Sequence, residues 1–379
     1  MRVYLDNAAT TPMAPEVVEA MSDVLRNHFG NPSSSHAFGR SSKALLETAR
    51  RNIARHLNCS SSELFFTSGG TEADNLACHI AVKELGVQRI ISTSIEHHAV
   101  GHALEMYRKC SNVRIDCLRL DSQGHIDLEE LETLLQEPIP TLVSLMHANN
   151  EIATLIRLEE VNKVCRKYGA YFLSDTVQTV GHYAFDLAAL NIDFITCAAH
   201  KFHGPKGIGF LYVNQRIKMA PMILGGSQER GFRGGTENLS GVVGLSKAFD
   251  LAYESLEVHQ THIQGLKSYM MERLKANFSQ ITFHGDVTPE GSLYTVLNVG
   301  FPPIDKASML LFTLDLKGVA ASGGSACTSG ATQGSHVLEG IGADMSRPNV
   351  RFSFSRYTTK EEIDFALEQV FSAFAVALA

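Results

Sequence analysis

From about Pro15 to Asn214, short runs of β-branched and aromatic residues alternate with longer stretches whose apolar positions recur every three or four residues. The runs Leu64–Thr67, Arg89–Ser94, Val113–Leu118, Thr141–His147, Tyr171–Asp175, Phe194–Cys197 and Ile208–Val213 predict about seven strands. Stretches such as Thr71–Leu85 and Arg157–Tyr168 predict helices between them. Alternation of this kind implies βαβ units around a mainly parallel sheet. Leu239–Phe278 contains no proline and keeps helical spacing, which predicts one long helix, or two joined near Gly265, linking two domains. Beyond it, Thr295–Val299, Val319–Ser322 and Val350–Ser353 predict strands interleaved with helices over Lys306–Lys317 and Lys360–Phe374, a smaller α+β unit. The fold class expected from the pattern is α/β, a large domain with a mainly parallel seven-stranded sheet plus a smaller α+β domain.

Length agrees with two domains, since 379 residues exceed what a single core usually organises. The net charge of -7, with no clustered Lys/Arg, excludes a nucleic-acid footprint from the expectation, because phosphate contacts need a basic patch. The N-terminus MRVYLDNAATTP lacks the basic and apolar regions of a secretory signal, and no run approaches the roughly 20 apolar residues of a membrane span. A cytoplasmic protein with no membrane association is the expectation. Seven cysteines without a C-x-x-C pair suit free thiols in a reducing compartment.

Open parallel sheets bind ligands outside the carboxyl ends of their strands, which directs attention to three loops. Thr67-Ser68-Gly69-Gly70-Thr71-Glu72 joins a strand to a helix, so free backbone N–H groups and the helix dipole face the turn, as a phosphate requires. Taken by itself it is an ordinary capped Gly-rich turn. Ser174-Asp175-Thr176-Val177-Gln178 ends another strand and offers a carboxylate to a ligand cation, although Asp175 alone reads equally as a helix N-cap. Ala199-His200-Lys201-Phe202-His203-Gly204-Pro205-Lys206-Gly207 holds two lysines, and a desolvated lysine amine can form a Schiff base with a carbonyl cofactor. Together the loops supply a phosphate cradle, a carboxylate for a pyridinium nitrogen and an amine for an aldehyde. Those are the partners that pyridoxal 5'-phosphate requires.

At this point the chain resembles the cysteine desulfurases of the class V aminotransferase group, fold type I pyridoxal-phosphate enzymes. The resemblance runs in order from Tyr4–Pro12 through Gly30–His36, Gly70-Thr71, Glu96-His97, Met146–Glu151, Asp175–Gln178, His200-Lys201, Arg233–Thr236 and Ser325–Ser329 to Val350–Ser353. It implies a large cofactor-binding domain over residues 15–256 and a small domain of residues 1–14 and 257–379. Lys201 would hold the cofactor covalently, Asp175 would pair with its ring nitrogen, and His97 would stack on the ring and serve in acid–base steps. Gln178 would touch the phenolic oxygen, and Asn150 would lie near the ring and the substrate carboxylate. Gly70, Thr71 and His200 would hold the phosphate, helped by Thr236 of a neighbouring subunit, which implies a homodimer with shared active sites. Lys206 would be structural.

Cys327 differs from the other six cysteines in setting, because Ser322–Gly330 is a loop of small residues unsuited to core packing. An accessible thiol on such a loop suits a nucleophile, and the resemblance makes it the acceptor of substrate sulfur. Arg351 is a natural bidentate partner for an amino-acid carboxylate, the role the resemblance gives it. The implied reaction removes sulfur from L-cysteine, giving L-alanine and a Cys327 persulfide for transfer to an acceptor protein such as an iron–sulfur scaffold. A selenocysteine lyase or another C–S lyase of the same fold shares every cofactor residue, and a non-catalytic sulfur-carrier scaffold is the alternative of another class. His98 and His102 stand at metal-ligand spacing without a third ligand, so no metal is expected. Two positions depart from the family pattern. Ala198 stands where many members carry a phosphate-binding serine, and Ala153 stands in place of a usual glycine.

Overall fold

A computed structural model of the chain describes residues 1–304, 309–323 and 334–377. The strands are β1 (Val3–Tyr4), β2 (Leu64–Thr67), β3 (Arg89–Ser92), β4 (Arg114–Cys117), β5 (Thr141–Ser144), β6 (Tyr171–Ser174), β7 (Phe194–Ala198), β8 (Gly209–Val213), β9 (Thr282–His284), β10 (Val296–Gly300), β11 (Val319–Ala320) and β12 (Asn349–Ser353). Strands β2 to β8 form one seven-stranded sheet in the order β2-β8-β7-β6-β5-β3-β4. Every neighbouring pair is parallel except those made by β8, which runs antiparallel to β2 and β7. The expected α/β fold with a mainly parallel seven-stranded sheet is therefore what the chain forms.

Side chains alternate across this sheet. Phe66, Ile91, Val143, Phe172 and Ile195 enter one core with the helices Pro15–Asn27, Ala37–His56 and Leu239–Tyr253, while Phe65, Ile90, Leu142, Leu173 and Phe194 enter a second core with the helices Gly70–His79 and His98–Ser111. Burying each such side chain contributes about 2 kcal/mol. The two cores fix the sheet between helical layers and leave its carboxyl edge open.

A third core gathers Val3, Leu5, Leu266, Met270, Leu297, Val299, Phe352 and Leu367 around the antiparallel sheet β12-β10-β9 and the parallel pair β1-β11. The N-terminal segment is laced to β12: Ser353 N donates to Leu5 O at 2.8 Å, and Ala8 N donates to Ser353 Oγ at 2.8 Å. This lacing carries Ala8 and Ala9 to the open edge of the large sheet.

Two local expectations change. The region 239–278 forms two helices, Leu239–Tyr253 and Leu256–Asn277, parting at Glu254-Ser255 rather than near Gly265. The first helix packs in the core beneath the large sheet and the second in the core of the small one, so the chain turns where its apolar partners change. The helix expected from Thr71 starts at Gly70 and passes at Ile80–Glu84 into a π turn. Of the expected helix Lys306–Lys317, the described part is Leu310–Leu316.

Candidate active site

The open edge of the large sheet is a cleft of about 200 Å³, lined by Gly70, Thr71, His97, Asn150, Asp175, Gln178, His200, Lys201 and Arg351, with Ala8, Ala9, Asp74, Met146, Val177 and Ala198. Topology explains the gathering. The turns after β2, β3, β5, β6 and β7 all leave the sheet at its carboxyl edge, and Arg351 comes from β12.

Lys201 ends a short helical turn, Ala199–Lys201, directly after β7. Its Nζ donates to Ala8 O at 2.6 Å and Ala9 O at 3.1 Å. The turn is stapled to the N-terminal segment, since Thr11 N and Thr11 Oγ1 both donate to His200 O at 2.9 Å. Asp175, only 6 % exposed, follows β6. Its Oδ1 accepts from Val177 N at 2.9 Å and from Thr196 Oγ1 at 3.4 Å, the latter on β7. Gln178 Nε2 donates to Ala8 O at 3.1 Å.

At the start of the helix Gly70–His79, a Cβ on Gly70 would lie 2.5 Å from Val177 Cγ2. Glycine thus lets the N–H groups of this helix end approach the turn after β6. His200 Nδ1 pairs with Thr10 Oγ1 at 3.2 Å, and burial, then the Lys201 and Lys206 charges, lower its pKa to about 4, so the ring is neutral near neutral pH. Lys206 itself is exposed and does not line the cleft.

His97 caps the helix His98–Ser111, its Nδ1 accepting from Ala99 N at 3.2 Å. That bond places the proton of the neutral ring on Nε2. Burial lowers the His97 pKa despite the opposing Asp175 charge. Glu96 beside it ties β3 to β5, with Oε1 accepting from Met146 N at 2.9 Å and Thr93 Oγ1 at 3.3 Å, and burial pushes its pKa up to about 8.

Arg351 is 1 % exposed. Its Nη2 donates to Asp6 Oδ1 at 2.8 Å and its Nη1 to Asn150 O at 2.8 Å, while Nε has no hydrogen-bond partner among the described residues. Asn150 sits in a loop shaped by Asn149, whose Oδ1 accepts from Glu151 N and Ile152 N at 2.8 and 3.0 Å. Ala153 closes that loop at φ 69°, a left-handed conformation that strains a residue bearing a Cβ. The usual glycine at this position thus has a physical reason that the sequence alone did not supply.

One expected residue lies outside the cleft. Thr236 is exposed and lines a separate cavity with Arg233 and Glu237. Cys327 lies outside the described residues. The chain flanking it is tied near the cleft: Arg351 N donates to Ser322 O at 2.6 Å on one side, and Ser335 Oγ donates to Glu151 Oε2 at 2.5 Å on the other. His98 and His102 stack at 5.1 Å between ring centroids, and no group of three or more metal-ligating side chains occurs among the described residues.

Sequence reasoning missed Asp74, a buried carboxyl in the cleft wall, and the carbonyls of Ala8 and Ala9. Asp74 carries a faint signal, an acid amid the apolar face Ala73, Leu76, Ala77 and Cys78 of its helix. The Ala8 and Ala9 carbonyls carry none, because backbone acceptors have no sequence signature.

Residues 3–365 match the family described as Aminotransferase class-V, and the chain belongs to that family. It is 39 % identical over 370 residues to the cysteine desulfurase IscS of Dictyoglomus turgidum (strain DSM 6724 / Z-1310), covering 97 % of this chain and 93 % of that relative. Among solved structures, a NifS-like protein superposes with a TM-score of 0.91 at 35 % identity, over 99 % of this chain and 100 % of that one. SspA in complex with cysteine superposes with a TM-score of 0.80 at 29 % identity, over 94 % of this chain and 100 % of that one. Among the described residues, no helix is long and apolar enough to cross a membrane.

Proposed function

We propose that this protein is a cysteine desulfurase that uses pyridoxal 5'-phosphate to take sulfur from L-cysteine, releasing L-alanine and leaving a persulfide on Cys327. The observation that carries this reading is the convergence of Lys201, Asp175, His97 and Arg351 on one cleft. The donor set fits the cofactor: an amine in Lys201, an anion-binding helix start at Gly70-Thr71 beside the neutral His200, and the buried Asp175 carboxylate for a pyridinium nitrogen. The close approach that only glycine permits at position 70 forms the phosphate side of that cradle.

When bound, the cofactor supplies an electron sink that weakens the bonds to the substrate α- and β-carbons. The chain does the rest. Arg351, rigidly held by Asp6 and Asn150 O, orients the substrate carboxylate. Asp175 holds a proton at the ring nitrogen. His97, neutral and protonated on Nε2, sits where a proton is exchanged at the substrate amine or carbon, and Lys201 serves as the second proton carrier once displaced. Gln178 binds the phenolic oxygen. The Cys327 thiolate attacks substrate Sγ, so that an S–S bond forms as the Cβ–Sγ bond breaks. The electron pair returns to the carbon skeleton, which takes up a proton and leaves as alanine.

The active form is a homodimer in which Thr236 completes the partner subunit's phosphate site. Exposure of Phe29 (74 %), Phe38 (58 %) and Leu224 (83 %) supports an apolar contact of this kind. Residues 15–256 form the cofactor domain and residues 1–14 with 257–379 the small domain. The site is cytoplasmic, and the persulfide passes to an acceptor protein such as an iron–sulfur scaffold.

Cys327→Ala tests the chemistry. The variant is expected to keep the visible cofactor spectrum and its change on adding cysteine while losing persulfide formation. Persulfide at the wild-type yield would contradict the assignment.

A further inference from the structure

Asp74 lies on the helix Gly70–His79, one turn beyond the Gly70-Thr71 end, and is 1 % exposed. It lines the same cleft as Asp175, and its Oδ1 is buried with no hydrogen-bond partner among the described residues. A lone buried carboxylate oxygen without a donor is costly, whereas a protonated carboxyl there supplies its own donor. Thr196, on β7, has a single hydroxyl proton, which it can give to Asp175 Oδ1 at 3.4 Å or to the Asp74 carboxyl but not to both.

We infer that Asp74 stands in the cleft as a neutral carboxylic acid, donating its proton toward Asp175 so that the pair carries one negative charge instead of two. This rests on the reading of Asp175 as the partner of the cofactor nitrogen and adds a positioning residue to it. A single charge neutralises one pyridinium. A second would leave a net anion near the phosphate and the substrate carboxylate, both of which the cleft must attract. Burial first, and then the Asp175 charge, hold the Asp74 carboxyl well above the ordinary carboxylate range. The other titratable groups facing this corner are Glu96, itself raised to about 8, His97, lowered by burial, Cys78, whose thiol burial pushes up, and Lys201.

The sign of the pH effect is fixed by linkage. A carboxyl whose folded pKa is raised contributes stability fully present below its unfolded value, about pH 4, and lost as pH rises toward the folded value. Asp74→Asn has the same shape and cannot ionise. Its melting temperature in the cofactor-free protein, relative to wild type, is expected to climb as pH rises above about 4. A difference independent of pH, or one that falls as pH rises, overturns the inference.

Titration with pyridoxal phosphate separates this from the functional reading. Asp175→Asn is expected to weaken binding about 100-fold. Asp74→Leu, which removes the donor, should weaken it about tenfold, and Asp74→Asn, which restores one, should recover most of that loss. Asp175→Asn binding as wild type would remove the functional reading while the pH result still decides the protonation of Asp74. Asp74→Asn losing as much as Asp74→Leu would overturn the donor role.

Discussion

Lys201, Asp175 and Gln178 reach the cleft from the ends of adjacent strands β7 and β6, whereas Thr236 stands exposed on a segment held by side chains, among them the deeply inserted Glu229 and the Arg233–Glu72 ion pair. Glu229 Oε1 and Oε2 each accept from the Arg50 guanidinium at 2.8 Å, and Oε2 also accepts from Phe66 N at 2.8 Å. Both Glu229 and Arg230 adopt left-handed conformations, φ 44° and 58°, to make this insertion. The cleft floor is thus positioned by a continuous sheet. The Thr236 segment is positioned by the ion pairs Glu229–Arg50 and Arg233–Glu72, by Arg230 donating to backbone carbonyls of Ser61, Ser62 and Leu64, and by Phe232 against Phe65, and its threonine lines a different cavity. A site assembled by a sheet tolerates local change, while a segment held by side chains depends on a few ion pairs, of which Glu229–Arg50 is the more deeply buried.

Breaking the pair is the severest test of that contrast. Glu229→Gln leaves the Arg50 guanidinium short of its buried counter-charge and is expected to cost about 3 kcal/mol in urea unfolding. The same change should loosen the proposed dimer, while the visible spectrum of bound cofactor keeps its shape. Sedimentation alongside denaturation checks both.

A smaller effect is expected at the tip of the segment. Thr236→Ala removes one hydroxyl from a phosphate, worth about 1 kcal/mol or roughly fivefold in cofactor affinity. Co-expression with Lys201→Ala sharpens the result: a mixed dimer has one site with both residues intact only if Thr236 serves the partner's cleft. Recovery of wild-type affinity at that site is the expected outcome, and its absence would place Thr236 in the service of its own subunit. The smallest effect concerns the loop that follows Asn150, where Ala153→Gly relieves the left-handed strain and should raise stability by about 0.5 kcal/mol, read as a higher melting temperature.

Much of the cleft was legible because its residues sit in short motifs at strand ends, where topology alone gathers them. Asp175, His200-Lys201 and Gly70-Thr71 needed only the alternation of strand and helix to be brought together. Glu229 was not legible, because its burial depends on a positive-φ turn and on Arg50, far away in sequence. Asp74 hid for a related reason: an acid near a helix start reads as a favourable charge at the dipole, and only packing reveals that its oxygen is buried. The break at Glu254-Ser255 is not marked in the sequence, where the absence of proline predicts one long helix, or two joined near Gly265. The turn follows instead from a change of apolar partners, which local composition does not encode.

The central claim is that this cleft binds pyridoxal phosphate through Lys201 and desulfurates cysteine. The most direct measurement is the visible spectrum of the cofactor-loaded protein before and after L-cysteine, with alanine and Cys327-bound persulfide assayed in the same sample. The account predicts a yellow protein whose band shifts as alanine and persulfide appear in equal amounts. A protein that cofactor leaves colourless, or a yellow one that makes no alanine, would contradict it.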